Sequence, residues 1–191
     1  MLWGAVILIV AAVIVEFVRQ HPYWSALIAV LIVAATIAVL SAVSKDRARA
    51  RAEQAERDRL IEVTDAMSGP EFEQWFARLL AHSGFTGVTV RGGPADRGAD
   101  VTATAPDGRS VVVQCKRHAV GNRVGSAAIQ RFAGTCRAVH GGDICMIVTN
   151  GFFTTGDGLR LAHELGIVLV DRRLLEVWAH TGAPPTTVVG R

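Results

Sequence analysis

The sequence has few cysteines and little excess charge of either sign. It carries three cysteines in 191 residues, Cys115, Cys136 and Cys145, and no two of them form a CxxC pair. This spacing supports neither a zinc site nor a disulfide framework, so we expect buried thiols in a reducing compartment. The formal net charge is only +3. A balance this mild suits nucleic acid or an anionic membrane surface and does not distinguish them.

Long apolar runs are absent after Val43 but dominate the chain before it. Residues 2–18 are apolar except for Glu16, and residues 24–43 are apolar apart from small hydroxyl side chains. Each run approaches or reaches the roughly 20 residues that cross a bilayer. The connector 19–23 is so short that the pattern predicts a transmembrane hairpin. A cleaved signal peptide is the rival interpretation, but no basic segment precedes the first run and a second run follows at once.

Basic residues crowd the exit of the second apolar run, whereas the connector contributes only Arg19 and His21. The crowded residues are Lys45, Arg47, Arg49 and Arg51. The positive-inside rule then places both termini in the cytoplasm of a multi-pass protein in the inner or plasma membrane. The predicted organisation is therefore a membrane region over 1–43 with the lipid bilayer as partner, followed by a charged juxtamembrane helix or linker over 44–66.

The soluble domain begins with a helix signature. Ser68 and Glu71 have the spacing of a capping box, and a proline lies between them in the first turn. Apolar residues then recur every three or four positions, which predicts one buried helix face. They are Phe72, Trp75, Phe76, Leu79 and Leu80. Glu73 lies at the edge of that face, where a carboxylate can reach a cleft; the alternative is an ordinary solvated helix residue.

A turn at Pro106-Asp107-Gly108 fixes the register of the predicted strands around it. A three-residue hairpin loop of this composition pairs Ala105 with Arg109, and counting back places Asp100 opposite Gln114. Because side chains alternate between the two faces of a strand, Lys116 shares the face of these two residues. A slip of one residue would separate them. The predicted strands cover residues 88–90, 99–104 and 110–116.

Asp100, Gln114, Lys116 and Glu73 form a set suited to phosphodiester hydrolysis. A hard cation polarises the phosphate and binds water, and it takes carboxylate or amide oxygens as ligands. Asp100 and Glu73 supply negative charge, and the Gln114 amide oxygen can bind the metal or a water. Lys116 can orient the attacking water or stabilise charge that builds on the phosphate. The alternative for Lys116 is an exposed lysine at a strand end.

Several motifs, taken in order, resemble the Mrr-like type IV restriction endonuclease family. They are Ser68 to Glu73, Gly84-Phe85, Gly92 to Asp100, Val113 to Arg117, Val124 to Ser126, Ile129 to Gly134, Val148-Thr149 and Gly166 to Asp171. The resemblance implies a PD-(D/E)xK nuclease fold, an α/β domain with a mixed sheet flanked by helices, over about residues 67–179. It also implies cleavage of DNA with Mg²⁺ or Mn²⁺ as cofactor.

The family's catalytic positions fall on Asp100, Gln114 and Lys116, with Glu73 as the added helix carboxylate. On this resemblance the metal ligands are Asp100, Glu73 and Gln114. The general fold motif has a second acidic residue where this chain has Gln114, but glutamine is usual in the Mrr branch. Gln130 matches a motif glutamine near the substrate backbone. Five arginines flank the motifs and are further candidates for phosphate contacts; the alternative is that they are solubilising surface residues. They are Arg91, Arg97, Arg117, Arg123 and Arg131, of which Arg97, Arg117 and Arg123 are the preferred candidates.

The rest of the domain alternates helices and strands, as expected of an α/β fold. Predicted helices cover 126–139 and 159–165, predicted strands cover 144–149 and 167–170, and the tail 180–191 is expected to be disordered. The sequence offers no segment for reading modified bases. Two functions follow: a membrane-tethered metal-dependent DNA endonuclease, or a catalytically silent nucleic-acid-binding or scaffold module of the same fold. RNA as the substrate and a homodimer both stay open.

Overall fold

The computed structural model describes residues 12, 16–92, 97–119 and 122–189, without the side chains of residues 51, 55, 57 and 189. The chain divides into two compact units, one ending at Glu53 and the other running from Gln54. The second unit contains the sheet and all the residues proposed from the sequence as a catalytic site.

Helix α1, Pro22–Arg57, contains the second predicted membrane span. In the described part of the chain it is the one helix long and apolar enough to cross a bilayer, and its apolar window is fully exposed. The first predicted span, 2–18, falls largely outside the described residues. In the predicted connector, His21 N–H donates to Phe17 O and Ser25 N–H donates to His21 O, both at helical spacing. Because the first span lies largely outside the described residues, the two-helix hairpin stays a prediction.

The segment after α1 packs against the domain that follows it. A 3₁₀ helix over Ile61–Asp65 buries Ile61 and Thr64. Just before it, the Asp58 carboxylate accepts two hydrogen bonds from the Arg78 guanidinium, at 2.6 and 3.1 Å. Where the sequence predicts a charged helix or linker over 44–66, the structure thus has a segment whose end contributes to the core. Ile61 makes the difference, because its burial favours a fixed position for this segment.

Helix α2, Gly69–His82, starts as its sequence predicts. The Glu71 carboxylate accepts the Ser68 N–H at 2.7 Å, which forms the predicted capping box. All five residues of the predicted apolar face are buried. Glu73 is half-buried beside that face, as its position in the helix predicts. The helix therefore holds an acidic side chain at the boundary between core and surface.

A five-stranded mixed sheet has the order β1-β2-β3-β5-β7. The first three strands, Thr86–Val90, Val101–Thr104 and Ser110–Lys116, pair antiparallel. The strands β5, Ile144–Thr149, and β7, Ile167–Val170, continue the sheet in parallel with β3. The predicted hairpin register is confirmed: Val101 pairs with Val113, and Ala105 N–H donates to Arg109 O at 2.9 Å. Gly108 takes the predicted left-handed conformation, at φ 88°.

Helices cover both faces of the sheet, which confirms the mixed α/β fold. On one face, α2 and α5, Arg172–Thr181, share a core with Val111 and Val113. On the other face, α3, Ser126–Cys136, and α4, Asp157–Glu164, share a core with Val112 and Ile147. The buried residues of β3 belong alternately to the two cores, as the period of two in a strand requires. Consequently Gln114 and Lys116 fall on the face covered by α3 and α4.

Three elements of the structure have no counterpart in the sequence prediction. A two-stranded sheet joins β4, Arg123–Val124, to β6, Phe152–Phe153. Helix α5 begins at the Asp171 cap. The short helix α6, Thr186–Val189, lies where the sequence predicts a disordered tail, and Val188 is buried there. The first and last of these are too short for a periodic pattern to predict.

Candidate active site

Asp100 lies immediately before β2 and is held there by the backbone of β3. Its N–H donates to Val113 O at 2.9 Å. Its carboxylate Oδ2 accepts the Cys115 N–H at 2.7 Å, and the residue is only 7% exposed. Because a buried carboxylate is costly to desolvate, this charge-assisted hydrogen bond stabilises it and fixes the direction of one of its oxygens.

Gln114 and Lys116 reach the same region from β3. The hairpin register is as predicted up to Val101 opposite Val113, but the Asp100 N–H donates to Val113 O, one residue short of the predicted Gln114. Gln114 is 8% exposed, and within the described residues its Oε1 atom is buried without a hydrogen-bond partner. An unpartnered buried amide oxygen costs about 1 to 3 kcal/mol, so its retention needs an explanation.

A glycine makes room for the Gln114 amide. Gly98 has φ 86°, a conformation that side chains rarely adopt. A Cβ atom built on it would lie 3.0 Å from Gln114 Nε2. Any larger residue at position 98 would therefore be strained and would also press on the glutamine. The glycine at position 98 in the Gly92 to Asp100 motif thus has a packing reason.

The three residues share one cavity of about 540 Å³, which we call the Asp100 cleft. Its lining comprises Arg97, Gly98, Asp100, Gln114, Lys116, Arg131, Phe132 and Thr135. The last three come from α3; the sequence prediction includes Arg131 among the possible phosphate contacts but neither Phe132 nor Thr135. A lining of one carboxylate, one amide and three cationic side chains suits an anion bound together with a metal ion.

Glu73 approaches this region from the other side of β3 without lining the cleft. Its Oε2 atom would lie 3.6 Å from a Cβ built on Gly92, so it faces the chain just after β1. Burial raises the pKa of the Cys115 thiol well above its usual value, and the negative charges of Asp100 and Glu73 raise it further. Both carboxylates therefore lie close enough to the end of β3 to act on the Cys115 thiol, which stays protonated.

The proposed nucleic-acid residues do not all gather at the cleft. Arg97 lines it. Gln130 is exposed on α3, and Arg123 lies on β4, where its Nη1 donates to Phe153 O at 3.3 Å. The Arg117 Nη2 donates to Asp65 O at 2.6 Å, inside the protein. The fold thus brings three of the four catalytic candidates, Asp100, Gln114 and Lys116, to one cavity and disperses the proposed nucleic-acid contacts.

The cleft fits a divalent cation with few protein ligands. In the described part of the chain, no group of three or more His, Cys, Asp or Glu side chains could hold a metal ion. Magnesium does not need such a cage, since it is usually bound through one or two carboxylates together with water and substrate phosphate. The fit rests on the donor set: Asp100, with its carboxylate, and Gln114, with its unpartnered amide oxygen, line the same cavity.

A second polar cluster, which the sequence did not reveal, lies at the same end of β3. We call it the Asp65 cluster; it consists of Asp65, His118, Asn150 and Arg172. Arg172 binds the Asp65 carboxylate through two hydrogen bonds, at 2.6 and 2.8 Å. Asn150 Oδ1 accepts the His118 N–H at 2.8 Å. The Arg172 guanidinium lowers the pKa of Asp65, and burial lowers that of His118.

Comparison with solved structures gives distant similarities. The chain resembles the protein of unknown function AF1548, with 22% identity and TM-score 0.42 over 62% of this chain and 61% of that one. It also resembles a repair endonuclease from Pyrococcus abyssi, with 19% identity and TM-score 0.37 over 50% and 44%. The MspJI restriction endonuclease, solved with a 27-mer oligonucleotide, gives 20% identity and TM-score 0.44 over 64% and 29%. This chain spans less than two thirds of each structure.

Comparison with families gives a broader match. No curated protein matches the chain. Residues 64–179, however, match the Mrr_cat family, described as restriction endonuclease, and this covers more than half of the chain. The match runs from the 3₁₀ helix to α5 and so includes the Asp100 cleft and the Asp65 cluster. The resemblance read from the sequence is confirmed at the level of the family. The chain belongs to the Mrr_cat restriction endonuclease family.

Proposed function

We propose that this chain is a divalent-metal-dependent DNA endonuclease that hydrolyses phosphodiester bonds and is tethered to a membrane by α1. The observation that carries the nuclease proposal is the convergence of Asp100, Gln114 and Lys116 on one cavity. Membership of a restriction endonuclease family supports it independently of that geometry. A fold gains little stability from gathering a carboxylate, an unpartnered amide oxygen and an ammonium group, so their convergence favours chemistry.

Asp100 and Gln114 are the residues that would hold a magnesium or manganese ion. Such an ion, when bound, polarises a phosphate oxygen and makes a bound water more acidic. The Cys115 N–H keeps one Asp100 oxygen in place. The Gln114 oxygen, which is buried without a described hydrogen-bond partner, would gain the cation as its partner. Glu73 adds negative charge near β3. It is proposed as a third ligand, which would bind the ion directly or through a water molecule.

Lys116 is proposed to act on the attacking water or on the phosphate. The residue is half-buried at the end of β3 and lines the cleft. As an ammonium, it can orient the water or stabilise negative charge as the phosphorane forms. As a neutral amine, it can accept a proton from the water. Partial exclusion of solvent strengthens each of these interactions compared with bulk water.

Arginines at the cleft are proposed to bind the scissile strand. Arg97 and Arg131 line the cavity, where their guanidinium groups can bind phosphate oxygens in pairs. Gln130 lies exposed on the same helix as Arg131 and is proposed to contact the backbone further along. For Arg117 the hydrogen bond to Asp65 O competes with phosphate binding, so we rank it last among the proposed contacts.

The nuclease proposal is tested by incubating the full chain, held in a mild detergent, with supercoiled plasmid. We expect nicked or linear plasmid only when Mg²⁺ or Mn²⁺ is present, since the cleft otherwise presents its carboxylate to the phosphate without a counter-charge. Equal cleavage in excess chelator would contradict the metal-dependent mechanism. Plasmid that is bound but stays intact with either metal would favour the catalytically silent module, and cleavage of RNA alone would change the substrate.

Membrane tethering rests on α1 and on the basic residues inside it. The helix has an exposed apolar stretch followed by Lys45, Arg47 and Arg49, which puts its carboxyl end in the cytoplasm by the positive-inside rule. The nuclease domain would then meet cellular DNA. The hairpin with a first span over 2–18 would make the protein multi-pass, and it requires the amino terminus to lie on the cytoplasmic side as well.

This orientation predicts a labelling pattern in intact cells. A cysteine at His21 should react with an impermeant thiol reagent, whereas one at Ser44 should not, because α1 separates the two positions by a bilayer. The chain's own three cysteines are free and buried, so they give little background. Labelling at Ser44 and not at His21 would place the domain outside the cell. Equal labelling of both positions would contradict the proposal that α1 spans a membrane.

A further inference from the structure

The small β4–β6 sheet displays an aromatic ring beside two arginines. Arg123 pairs with Phe152 across the two strands. The next residue on each strand, Val124 and Phe153, is buried in the core beneath α3 and α4. Because side chains alternate along a strand, Arg123 and Phe152 are directed away from that core. Arg123 is exposed, and Phe152 is half-buried.

Both arginines lie against the same ring. The Cζ atom of Arg123 is 5.7 Å from the Phe152 ring centroid, and that of Arg173 is 5.9 Å away. These distances are typical of cation–π contacts, which favour planar guanidinium groups. We call these three residues the Arg123–Phe152–Arg173 cluster. The Phe152 ring thus contacts both guanidinium groups, although Arg173 lies on α5, 50 residues after Arg123 in the sequence.

The cluster holds two positive charges together without an ion pair. Among the described residues no carboxylate lies within ion-pairing distance of either arginine, in contrast to Arg160, which pairs with Asp157 and Glu164. Asp171 lines the adjoining cavity of about 490 Å³, but its carboxylate caps α5 by accepting the Leu174 N–H at 3.1 Å. Two cations near one ring repel each other, so an anion bound between them would be stabilised.

The cluster lies within reach of a strand bound at the Asp100 cleft. Lys116 pairs with Thr149 in the β3–β5 register, and Phe152 follows three residues after Thr149. Chain geometry limits the distance between the Lys116 and Phe152 backbones to roughly 16 Å. That length corresponds to about five nucleotides of one strand in duplex DNA. A substrate centred on the cleft can therefore also contact the cluster.

We propose that the Arg123–Phe152–Arg173 cluster binds the phosphodiester backbone of the substrate to one side of the cleavage position. This inference rests on the proposed DNA endonuclease function and adds Phe152 and Arg173 to it. The two guanidinium groups bind phosphate oxygens, for which their planar donor pairs are suited. Phe152 is a positioning residue, because its ring holds both groups and does not itself bind phosphate.

The test measures DNA affinity against salt concentration for the full chain in detergent, with chelator present to prevent cleavage. A fluorescent DNA duplex and anisotropy give the dissociation constant. Each phosphate contact contributes about 0.9 to the slope of log affinity against log salt, so losing one contact costs roughly eightfold at about 0.1 M salt. We expect Arg123→Gln and Arg173→Gln each to show this loss in affinity and in slope. Arg173→Lys should retain most of both.

Two variants complete the design. Arg160→Gln also removes one exposed positive charge, but from an arginine already paired with acidic residues, and it should change neither affinity nor slope. Phe152→Leu should lower the affinity by less than either arginine substitution, with part of the slope lost, because the guanidinium groups lose their support. A packing role alone would leave the slope unchanged.

Different failures have different meanings. If Arg123→Gln and Arg173→Gln bind DNA like the unmodified chain, or if Arg160→Gln loses as much as they do, the cluster is not a backbone site. If the unmodified chain nevertheless cleaves DNA in the presence of metal, the proposed nuclease function stands and only the role of the cluster is rejected. An unmodified chain that neither binds nor cleaves DNA overturns both proposals.

Discussion

Two polar groupings at the end of β3 lie next to each other in sequence but differ in how their atoms are satisfied. In the Asp65 cluster, two nitrogens of the Arg172 guanidinium donate to the Asp65 carboxylate. The Asn150 side chain accepts the His118 N–H and donates to His118 O. Both groupings line a cavity, of about 210 Å³ for the Asp65 cluster and about 540 Å³ for the Asp100 cleft, but in the cleft the buried Gln114 oxygen has no described partner. Groups that satisfy one another's hydrogen bonds stabilise a fold, whereas a buried group left without a partner is available to a ligand.

The chain changes from one grouping to the other over two residues. Lys116 lines the cleft, while Arg117 donates to Asp65 O and His118 donates to Asn150. Among the described residues, the buried Arg117 Nε is the one atom of this network left without a partner. On the proposed assignment of the Asp100 cleft to catalysis, burial and charge alone do not distinguish a catalytic group from a structural one. The satisfaction of its hydrogen bonds separates the two cases.

The largest expected effect comes from removing the ammonium group of the cleft. Lys116→Met should reduce metal-dependent DNA cleavage by roughly a hundredfold to a thousandfold, because the charge that builds on the phosphate loses a fixed partner. The thermal midpoint should stay nearly the same, since the residue is half-exposed and Met preserves its length. The chain's other lysine provides the control: Lys45→Met should cleave normally. Equal rates for the two variants would remove Lys116 from the site.

A smaller effect, on stability, is expected from the Asp65 cluster. Asp65→Asn should cost about 1 to 3 kcal/mol in the free energy of unfolding, because the ion pair with Arg172 is more than two-thirds buried, with side chains 28% and 23% exposed. Cleavage by the folded variant should continue. Near-ultraviolet circular dichroism during thermal unfolding of the full chain measures the change.

The same pair makes a prediction about pH. Arg172 lowers the pKa of Asp65 in the folded protein below its ordinary value of 3.8, so the folded chain binds this proton less tightly than the unfolded chain. The stabilisation is therefore complete above that ordinary value and is lost as the pH falls through the lower folded pKa. The difference in unfolding midpoint between the unmodified chain and Asp65→Asn should shrink in that window. A constant difference would mean that the ion pair is not its source.

The smallest expected effect on stability is at Gln114. Replacing it with leucine removes a buried oxygen that has no described partner, so the free energy of unfolding should change by less than about 1 kcal/mol or increase. Cleavage should nevertheless fall, because the cleft loses an oxygen ligand. A loss of stability of more than about 2 kcal/mol would show that the amide makes structural hydrogen bonds and would weaken the contrast between the two groupings.

How much the sequence predicts depends on how local the determining signal is. The Pro106-Asp107-Gly108 turn sets the hairpin register up to Val101 opposite Val113, so the proximity of Asp100 and Gln114 follows from a short segment. Ser68 and Glu71 likewise predict the start of α2 from four residues. Asp65 and Arg172, by contrast, are 107 residues apart, and no local pattern pairs them. The contribution of α3 to the cleft, through Arg131 and Thr135, also depends on tertiary packing.

Two matched substitutions test the account's central claim most directly. Asp100→Asn and Asp65→Asn each remove one negative charge and preserve the shape of the side chain. Plasmid cleavage in Mg²⁺, at a temperature where both variants are folded, should be lost in Asp100→Asn and retained in Asp65→Asn. The thermal midpoint should fall clearly in Asp65→Asn alone, because its ion pair with Arg172 is broken. Cleavage retained by Asp100→Asn, together with a clear fall in its own midpoint, would contradict the assignment of the Asp100 cleft to catalysis.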